Sequence, residues 1–196
     1  MSYWFNVSLA GFILILVPYW LSLEHDRLDN WFGESSHLIG DALGMLSGWG
    51  FFGFWIGIWI APQNRFQLGY PWFSLWGITF TAIDIGVGFL FFISAAYLGI
   101  KGVMDLGLKT AETHRPEKLV TSGLYGVIRH PQHVAGVLGH LGVTILLGSR
   151  DALLATPIVL LVVYLISWKE EQELAKEYGR EYRQYQKQVP MFIPRR

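Results

Sequence analysis

The sequence contains no cysteine among its 196 residues. Without a thiol there is no disulfide, no thiolate metal site and no cysteine nucleophile. Charge is scarce as well, because only 15% of the residues are Asp, Glu, Lys or Arg while 52% are hydrophobic. This balance is too apolar for an ordinary soluble domain, and a chain of this length predicts a single domain.

Long apolar runs occupy most of the chain. A helix that crosses a bilayer needs roughly 20 mostly apolar residues. Five windows meet or approach that length: residues 4–23, 41–61, 75–100, 134–149 and 152–168. The first window has neither a basic start nor a small-residue cleavage site, so it is interpreted as a retained span rather than a signal peptide.

These windows predict an all-α integral membrane protein with about five transmembrane helices. One membrane domain covers residues 1–196, with three N-terminal spans in 1–100 and a polar loop, a helical hairpin and an interfacial helix in 101–196. The acidic segment 24–40 is predicted to be a surface connection between the first two spans.

The basic residues divide unequally between the two sides of the predicted bundle. With five spans, all of the 15 Lys and Arg residues except Arg65 and Arg150 fall on one side. The positive-inside rule therefore predicts that this side, which holds the loop 101–133 and the C-terminal tail, is cytoplasmic and that the N-terminus is outside.

One ionisable residue falls inside a predicted span. Asp84 lies in the third window, at a depth that places it near the middle of the bilayer. Ionisable groups at that depth cost a few kcal/mol and usually face the bundle interior or a cavity. Two interpretations stay open: a substrate or proton site, and a structural hydrogen bond to a neighbouring Trp or Tyr.

Charge is concentrated in the segment SGLYGVIRHPQHVAGVLGHLG, residues 122–142, where the fourth span begins. Pro131 disfavours helix at His130, so the helix is expected to begin between Pro131 and His133, with N–H groups at its start that favour an anion. Glycine then recurs at every third position from Gly136 to Gly142. This pattern leaves a strip without side chains for a ligand or a neighbouring helix.

The last two windows are predicted to form a helical hairpin, because only the short segment GSRDA joins them. The second of them ends in LISWKEEQEL, so the hairpin returns Glu170 and Glu171 to the face that holds Arg129, His130 and His133. Two carboxylates, an arginine and two histidines are therefore expected to converge at the mouth of one helix pair.

An amphipathic helix is predicted after the last span. Apolar and aromatic residues from Leu174 to Val189 recur at helical spacing, with Lys and Glu on the opposite face. This pattern is typical of a helix that lies at the membrane interface, and it is also compatible with a tail that docks and roofs a pocket.

The convergent residues fit three kinds of chemistry. His130, His133 and a glutamate could bind a metal, although the chain has only six histidines and lacks the HxxHH and HxxxH boxes of membrane di-iron enzymes. The same residues could bind lipid headgroups at the interface. They could also form a pocket for a charged, partly polar cofactor beside a lipid-accessible acceptor.

The part of the chain from about Leu106 to Pro194 resembles the integral-membrane methyltransferases that include isoprenylcysteine carboxyl methyltransferase and the phospholipid methyltransferases. Four motifs in order carry the resemblance: LVTSGLY, RHPQHVAG for the family's RHPxYxG, the glutamate pair after the next span, and EYGREYRQYQKQVPMFIP. Each motif alone is weak, whereas four in order at compatible spacing are specific.

The resemblance implies S-adenosylmethionine as the methyl donor, bound on the cytosolic side. It also implies a small lipophilic substrate that enters from the bilayer, membrane lipids as further partners, and no nucleic acid. The cofactor-binding residues that the motifs imply are Glu117, Lys118, Leu119, Val120, Tyr125, Arg129, His130, Pro131, Gln132, His133 and Gly136. The implied catalytic residues are Glu171, the favoured one of the glutamate pair, together with Glu170 and His133; no metal ligand is implied.

Two departures from the family pattern bear on the substrate. The tyrosine of RHPxY is replaced by His133, which adds a titratable ring nitrogen. Ser167 occupies the position of an arginine that would grip a substrate carboxylate, so Ser167 and Glu171 are the predicted substrate-binding residues. We therefore expect a lipid amine or another small lipophilic nucleophile rather than a prenylcysteine carboxylate. The alternative function is an NADPH-dependent membrane sterol or steroid reductase, since those enzymes have similar C-terminal motifs.

Overall fold

The computed structural model describes residues 1–107 and 119–195, which are mostly helical. Its first part contains α1 (Tyr3–Leu14), α2 (Leu16–Leu23), α3 (His25–Phe32) and α4 (Ser36–Ile60). The break between α1 and α2 follows from Pro18, which has no N–H to donate to the carbonyl four residues earlier. The segment 24–40, predicted to be a surface connection, is mostly helical, since α3 and the first turn of α4 occupy most of it.

A small β-hairpin precedes the third long helix. Strand β1 (Pro71–Leu75) pairs antiparallel with β2 (Ile78–Thr81), and the two-residue turn between them has positive φ angles of 49° at Trp76 and 75° at Gly77. Helix α5 then runs over Ala82–Leu106. The predicted third span, 75–100, therefore began too early, since its first residues belong to the hairpin.

This boundary changes the account of Asp84. The residue lies in the first turn of α5, where its amide donates to the hydroxyl of Thr81 over 3.0 Å. Its carboxylate accepts from the backbone N–H groups of Leu68 at 2.9 Å and Thr81 at 3.2 Å. The mid-bilayer placement was wrong, and Asp84 is part of a capping box that satisfies the N–H groups at the start of the helix.

The predicted helical hairpin is confirmed. Helix α6 (Pro131–Leu146) begins at the proline, with His130 as its N-cap residue, and three residues link it to α7 (Arg150–Glu177). Helix α7 continues two turns beyond the predicted fifth window and is followed by α8 (Gly179–Gln188).

Helix packing explains the glycine strip of α6. A Cβ atom at Gly142 would lie 2.9 Å from the carbonyl oxygen of Gly88 in α5, so only glycine allows the two backbones to approach this closely. A Cβ atom at Gly136 would lie 3.2 Å from the ring of Trp55 in α4. The strip therefore serves contacts between helices at both of these positions.

The chain is an integral membrane protein with several spans. Among the described residues, four segments are long and apolar enough to cross a bilayer, namely Tyr3–Leu23, His25–Ile60, Ala82–Leu106 and Arg150–Glu177. Helix α6, the fourth pass expected from the sequence, has 16 residues and a length of about 24 Å. A buried apolar cluster joins α1, α2, α4 and α7 and includes Phe5, Phe12, Tyr19, Ile58 and Val159.

The bundle has two polar ends. At one, the N-terminal amine lies 3.6 Å from the carboxylate of Asp151 at the start of α7, and this end also holds Arg65. At the other, Arg129 meets Glu171 near the end of α7. We call them the Arg65 end and the Arg129 end.

Candidate active site

The loop that carries Arg129 is tied to the end of α5. The amide of Leu124 donates to the carboxylate of Asp105 over 2.9 Å, and Lys101 pairs with the same carboxylate. Gly123 has a φ angle of 63°, and a Cβ atom there would collide with Asp105. Glycine is therefore required at this turn, which delivers the following residues to the start of α6.

Arg129 and Glu171 form a buried ion pair. The guanidinium contacts the carboxylate through Nε and Nη2, both at 2.7 Å, and its Nη1 donates to the backbone carbonyls of Gln186 and Val189. The second oxygen of Glu171 accepts from the side-chain amide of Gln186 at 2.9 Å. Charged, buried and bonded on both oxygens, Glu171 ties α7 and α8 to the loop.

His130 lies between the two glutamates. Its Nε2 is 3.1 Å from Glu171 and its Nδ1 is 3.4 Å from Glu170, so each ring nitrogen faces a carboxylate. Burial disfavours the charged ring, but hydrogen bonds and charge from Glu170 and Glu171 outweigh burial and raise the pKa of His130. When the ring is protonated, it can donate to both carboxylates and so link them.

His133 is held by Ser167 in a defined orientation. Its Nδ1 lies 2.7 Å from the hydroxyl of Ser167, and that hydroxyl donates its one hydrogen to the carbonyl of Val163 at 2.9 Å. If the hydroxyl hydrogen is given to Val163, Nδ1 is the donor toward Ser167 and Nε2 of the neutral ring carries no proton; in the other tautomer the hydroxyl donates to Nδ1 and Nε2 carries the proton. The Nε2 atom lies 3.6 Å from Oε1 of Glu170, so a protonated His133 would form an ion pair with this carboxylate.

Glu170 contacts three other side chains of this site. Besides its contacts with the two histidines, its Oε1 accepts a hydrogen bond from the hydroxyl of Tyr19 in α2. His130, His133 and Glu170 also offer three ligand atoms within 4.8 Å of one another, the arrangement that a metal ion could use. A metal bound there would replace the protons that now join these groups.

A cavity of about 350 Å³ opens beside this cluster. Of the residues implied by the family motifs, Tyr125, Arg129, His130, Gln132, His133 and Glu170 line it. Its volume is within the range of small-molecule sites. Glu171 and Ser167 are buried next to the cavity, in contact with residues that line it.

Other implied cofactor residues lie elsewhere or cannot be placed. Glu117 and Lys118 are outside the described residues. Leu119 packs against the tyrosines of α8, and Val120 is half-buried. Pro131 and Gly136 are in helix contacts, with Gly102 and Trp55 respectively.

Tyr125 is buried at the cavity wall. Its hydroxyl accepts from the side-chain amide of Gln132 at 3.1 Å, and its carbonyl accepts from the hydroxyl of Tyr185. Burial raises the pKa of Tyr125 to about 12, so the phenol stays neutral at physiological pH. Tyr125 can therefore donate or accept a hydrogen bond but is a poor base.

Sequence reasoning missed the contribution of the N-terminal half. Leu23, His25 and Asp26, at the junction of α2 and α3, line the cavity, as does Leu106 at the end of α5. His25 and Asp26 fell in the predicted surface connection and Leu23 at the end of the first predicted span, and the role of all three depends on how α2 packs against α7. Only the apolar face of α2 hinted at that packing.

Similarity to known proteins agrees with this placement of the site. Residues 76–181 match the phospholipid methyltransferase family. This segment contains the helical hairpin of α6 and α7 and the charged cluster, which consists of Arg129, His130, His133, Glu170 and Glu171. A protein-S-isoprenylcysteine O-methyltransferase of Schizosaccharomyces pombe is 34% identical over 92 residues, which cover 43% of this chain and 36% of the relative. A probable 7-dehydrocholesterol reductase of Acanthamoeba polyphaga mimivirus is 24% identical over 206 residues, which cover 96% of this chain and 45% of the relative.

The chain spans less than half of the length of either relative. The family match, in contrast, extends over more than half of this chain and contains all five residues of the charged cluster. The protein thus belongs to the phospholipid methyltransferase family.

Proposed function

We propose that the protein transfers a methyl group from S-adenosylmethionine to a lipophilic acceptor at the Arg129 end. The observation that carries this proposal is the cavity beside Glu170, where side chains of both charges meet at the end of an apolar helix bundle. Family membership supports methyl transfer as the reaction.

The cavity residues fit the donor chemically. S-adenosylmethionine carries a carboxylate, an ammonium and a sulfonium, and the cavity offers protonated His130 together with the carboxylates of Asp26, Glu170 and Glu177. Tyr125 and Gln132 would bind its neutral polar groups. When bound, the donor supplies an electrophilic methyl group, and the protein has to align the acceptor with it and exclude water.

The proton acceptor in this proposal is the pair formed by Glu170 and His133. An amine or thiol acceptor must lose a proton, and His133 and Glu170 both line the cavity, with Nε2 of His133 3.6 Å from Glu170. Glu171 was the favoured catalytic residue from the sequence, but its bonds to Arg129, His130 and Gln186 fit a positioning residue better.

The acceptor is proposed to be a lipid amine or another small lipophilic nucleophile. Ser167 was assigned to substrate binding from the sequence, but it is fully buried and bonded to His133 and Val163, which favours a role in orienting His133. Leu23, Leu106 and Leu174 give the cavity apolar walls that suit an acceptor entering from the bilayer. In the proposed orientation, the Arg129 end is cytosolic and the N-terminus lies on the other side.

A second candidate function is reduction of a sterol-like substrate with NADPH. The supporting observation is the similarity to the probable 7-dehydrocholesterol reductase, which extends over 96% of this chain. A reductase needs cationic groups for the 2′-phosphate of NADPH. The two candidates therefore differ in which cofactor the cavity binds.

Calorimetric titration of the purified protein in detergent separates the two functions. We expect S-adenosylmethionine and S-adenosylhomocysteine to bind at micromolar concentration and NADPH not to bind. His130→Ala should weaken this binding, whereas the control Arg65→Met, at the opposite end of the bundle, should leave the affinity unchanged. Binding of NADPH alone would contradict methyl transfer and support the reductase.

A further inference from the structure

Tyr19 lies outside the segment that matches the methyltransferase family, yet it contacts the cluster. The residue belongs to α2, and its hydroxyl donates to Oε1 of Glu170, 151 positions away in the chain. Its ring is 5% exposed and packs edge to face against Phe51 in α4. The ring is therefore fixed by the apolar core, so the direction of its hydroxyl is fixed as well.

The contact acts on the carboxylate that lies beside Nε2 of His133. Oε1 of Glu170 faces both the Tyr19 hydroxyl and Nε2 of His133, while Oε2 faces Nδ1 of His130. A carboxylate held on both oxygens cannot rotate freely about its terminal torsion. The donor from α2 thus sets which oxygen is presented to His133.

A neighbouring ion pair docks the same part of the chain. Lys169, the residue before Glu170, lies 2.9 Å from Glu24 at the end of α2 and 2.8 Å from Glu173. Helix α2 is therefore joined to α7 at two successive positions, 169 and 170. Because Leu23 also lines the cavity, α2 forms both a wall of the site and a support for its carboxylate.

We propose that Tyr19 is a positioning residue of the active site, which holds the Glu170 carboxylate in the orientation that accepts a proton through His133. This inference rests on the proposed methyl transfer for its effect on turnover, but the contact itself does not. It assigns to the N-terminal span a part in the reaction that the family match, which begins at residue 76, does not include.

The test is Tyr19→Phe in the full chain, because this change removes the hydroxyl and keeps the ring. We expect kcat for methyl transfer to fall roughly tenfold from loss of alignment. The affinity for S-adenosylhomocysteine and the thermal midpoint should stay close to those of the unchanged protein. The matched control is Tyr164→Phe on α7, whose tyrosine is 47% exposed and outside the cavity lining; it should not change kcat.

A double-variant comparison distinguishes positioning from packing. In a Glu170→Gln background, Tyr19→Phe should have little further effect on kcat, since both changes act on the same contact. A full tenfold additional loss in that background, or an unchanged kcat for Tyr19→Phe alone, would overturn the proposal.

An infrared measurement tests the contact without relying on turnover. The difference spectrum between the unchanged protein and Glu170→Gln identifies the carboxylate band of Glu170, and Tyr19→Phe should shift that band while Tyr164→Phe should not. An unshifted band in Tyr19→Phe would overturn the contact. If the protein binds no adenosyl ligand and the band still shifts, methyl transfer fails and the support of Glu170 by Tyr19 stands.

Discussion

The two ends of the helix bundle each contain an arginine that is at least partly buried, but the partners differ. Arg65 donates to the backbone carbonyls of Trp59 at 3.3 Å and Leu147 at 3.0 Å, and to the hydroxyl of Ser149 at 2.6 Å. Arg129 also reaches two carbonyls, but its strongest contact is with the carboxylate of Glu171. Arg65 joins loops, whereas Arg129 belongs to a cluster of ionisable side chains.

The carboxylates of the two ends show the same contrast. Asp84 accepts from two backbone N–H groups and caps α5. Glu170 instead faces the side chains of Tyr19, His130 and His133 next to a cavity. Polar residues that complete backbone hydrogen bonding serve the fold, and those that pair with each other at a cavity are the ones to test for chemistry.

The largest effect is expected for Arg129→Met, which removes the arginine of the buried pair and leaves His130 and Gln186 to bind Glu171. Breaking one partner of a buried ion pair costs about 3–5 kcal/mol of stability, and the C-terminal segment would lose its link to the loop. Denaturant unfolding in detergent micelles measures this cost. Arg129→Lys keeps the charge and should recover part of the loss; equal stability of all three proteins would contradict the buried pair.

Glu170→Gln should affect turnover more than stability. Loss of a proton acceptor lowers kcat by about a hundredfold or more, and the isosteric amide keeps the packing. The matched change at the other end, Asp84→Asn, should lower stability by about 1 kcal/mol through the weakened cap and leave kcat unchanged. Methyl-transfer assays measure kcat and unfolding curves measure stability for both variants. An equal fall of kcat in Asp84→Asn and Glu170→Gln would contradict the different roles assigned to these two carboxylates.

Arg65→Met should lower stability without changing the cavity. The substitution removes a donor from the Leu147 carbonyl and the Ser149 hydroxyl, while the Trp59 carbonyl still accepts from Gln63 and Ser149. We expect a loss of about 1–3 kcal/mol. Thermal unfolding gives the loss, and titration with S-adenosylhomocysteine should give an affinity equal to that of the unchanged protein. A weakened affinity would show that the two ends are coupled and would contradict a purely structural role for Arg65.

The smallest effect is a pH dependence of stability that originates in His130. Its pKa is raised in the folded protein by Glu170 and Glu171 despite burial, so the folded state holds the proton more tightly than the unfolded chain. The stabilisation is complete below the ordinary value of 6.5 and is lost as the pH rises through the raised pKa. Unfolding midpoints above pH 6.5 should fall for the unchanged protein and fall less for His130→Gln. Parallel curves for the two proteins would contradict this role.

The helical hairpin of α6 and α7, and the convergence of the charged residues at its open end, were predictable from local sequence. Pro131 marks the start of α6, and the short link between two apolar runs requires α7 to return to the same face. Once this turn is fixed, His130, His133, Glu170 and Glu171 must meet, whatever the rest of the chain does.

The start of α5 was not predictable from hydropathy, because the residues of the β-hairpin, from Trp72 to Phe80, are as apolar as the helix that follows. The available signal was the pair Trp76 and Gly77 between two β-prone segments, the pattern of a two-residue turn with positive φ angles. Reading that turn would have placed Asp84 at the helix start rather than inside the bilayer.

The contacts of α2 with the cluster were beyond sequence reasoning for a different reason. Tyr19 and Glu170 are 151 residues apart, and their contact depends on the packing of the apolar faces of α2, α4 and α7. Hydrophobic patterning predicts that such faces are buried but does not specify which helices they meet. The same holds for His25 and Asp26 at the cavity wall.

The most direct measurement is the transfer of labelled methyl groups from S-adenosylmethionine to lipid, with the purified protein reconstituted in nanodiscs made from a total lipid extract. Label should enter the lipid fraction with the unchanged protein and with Asp84→Asn, and this incorporation should be lost with Glu170→Gln. Absence of label with all three proteins, or equal incorporation with all three, would contradict the assignment of methyl transfer to the cluster at the Arg129 end.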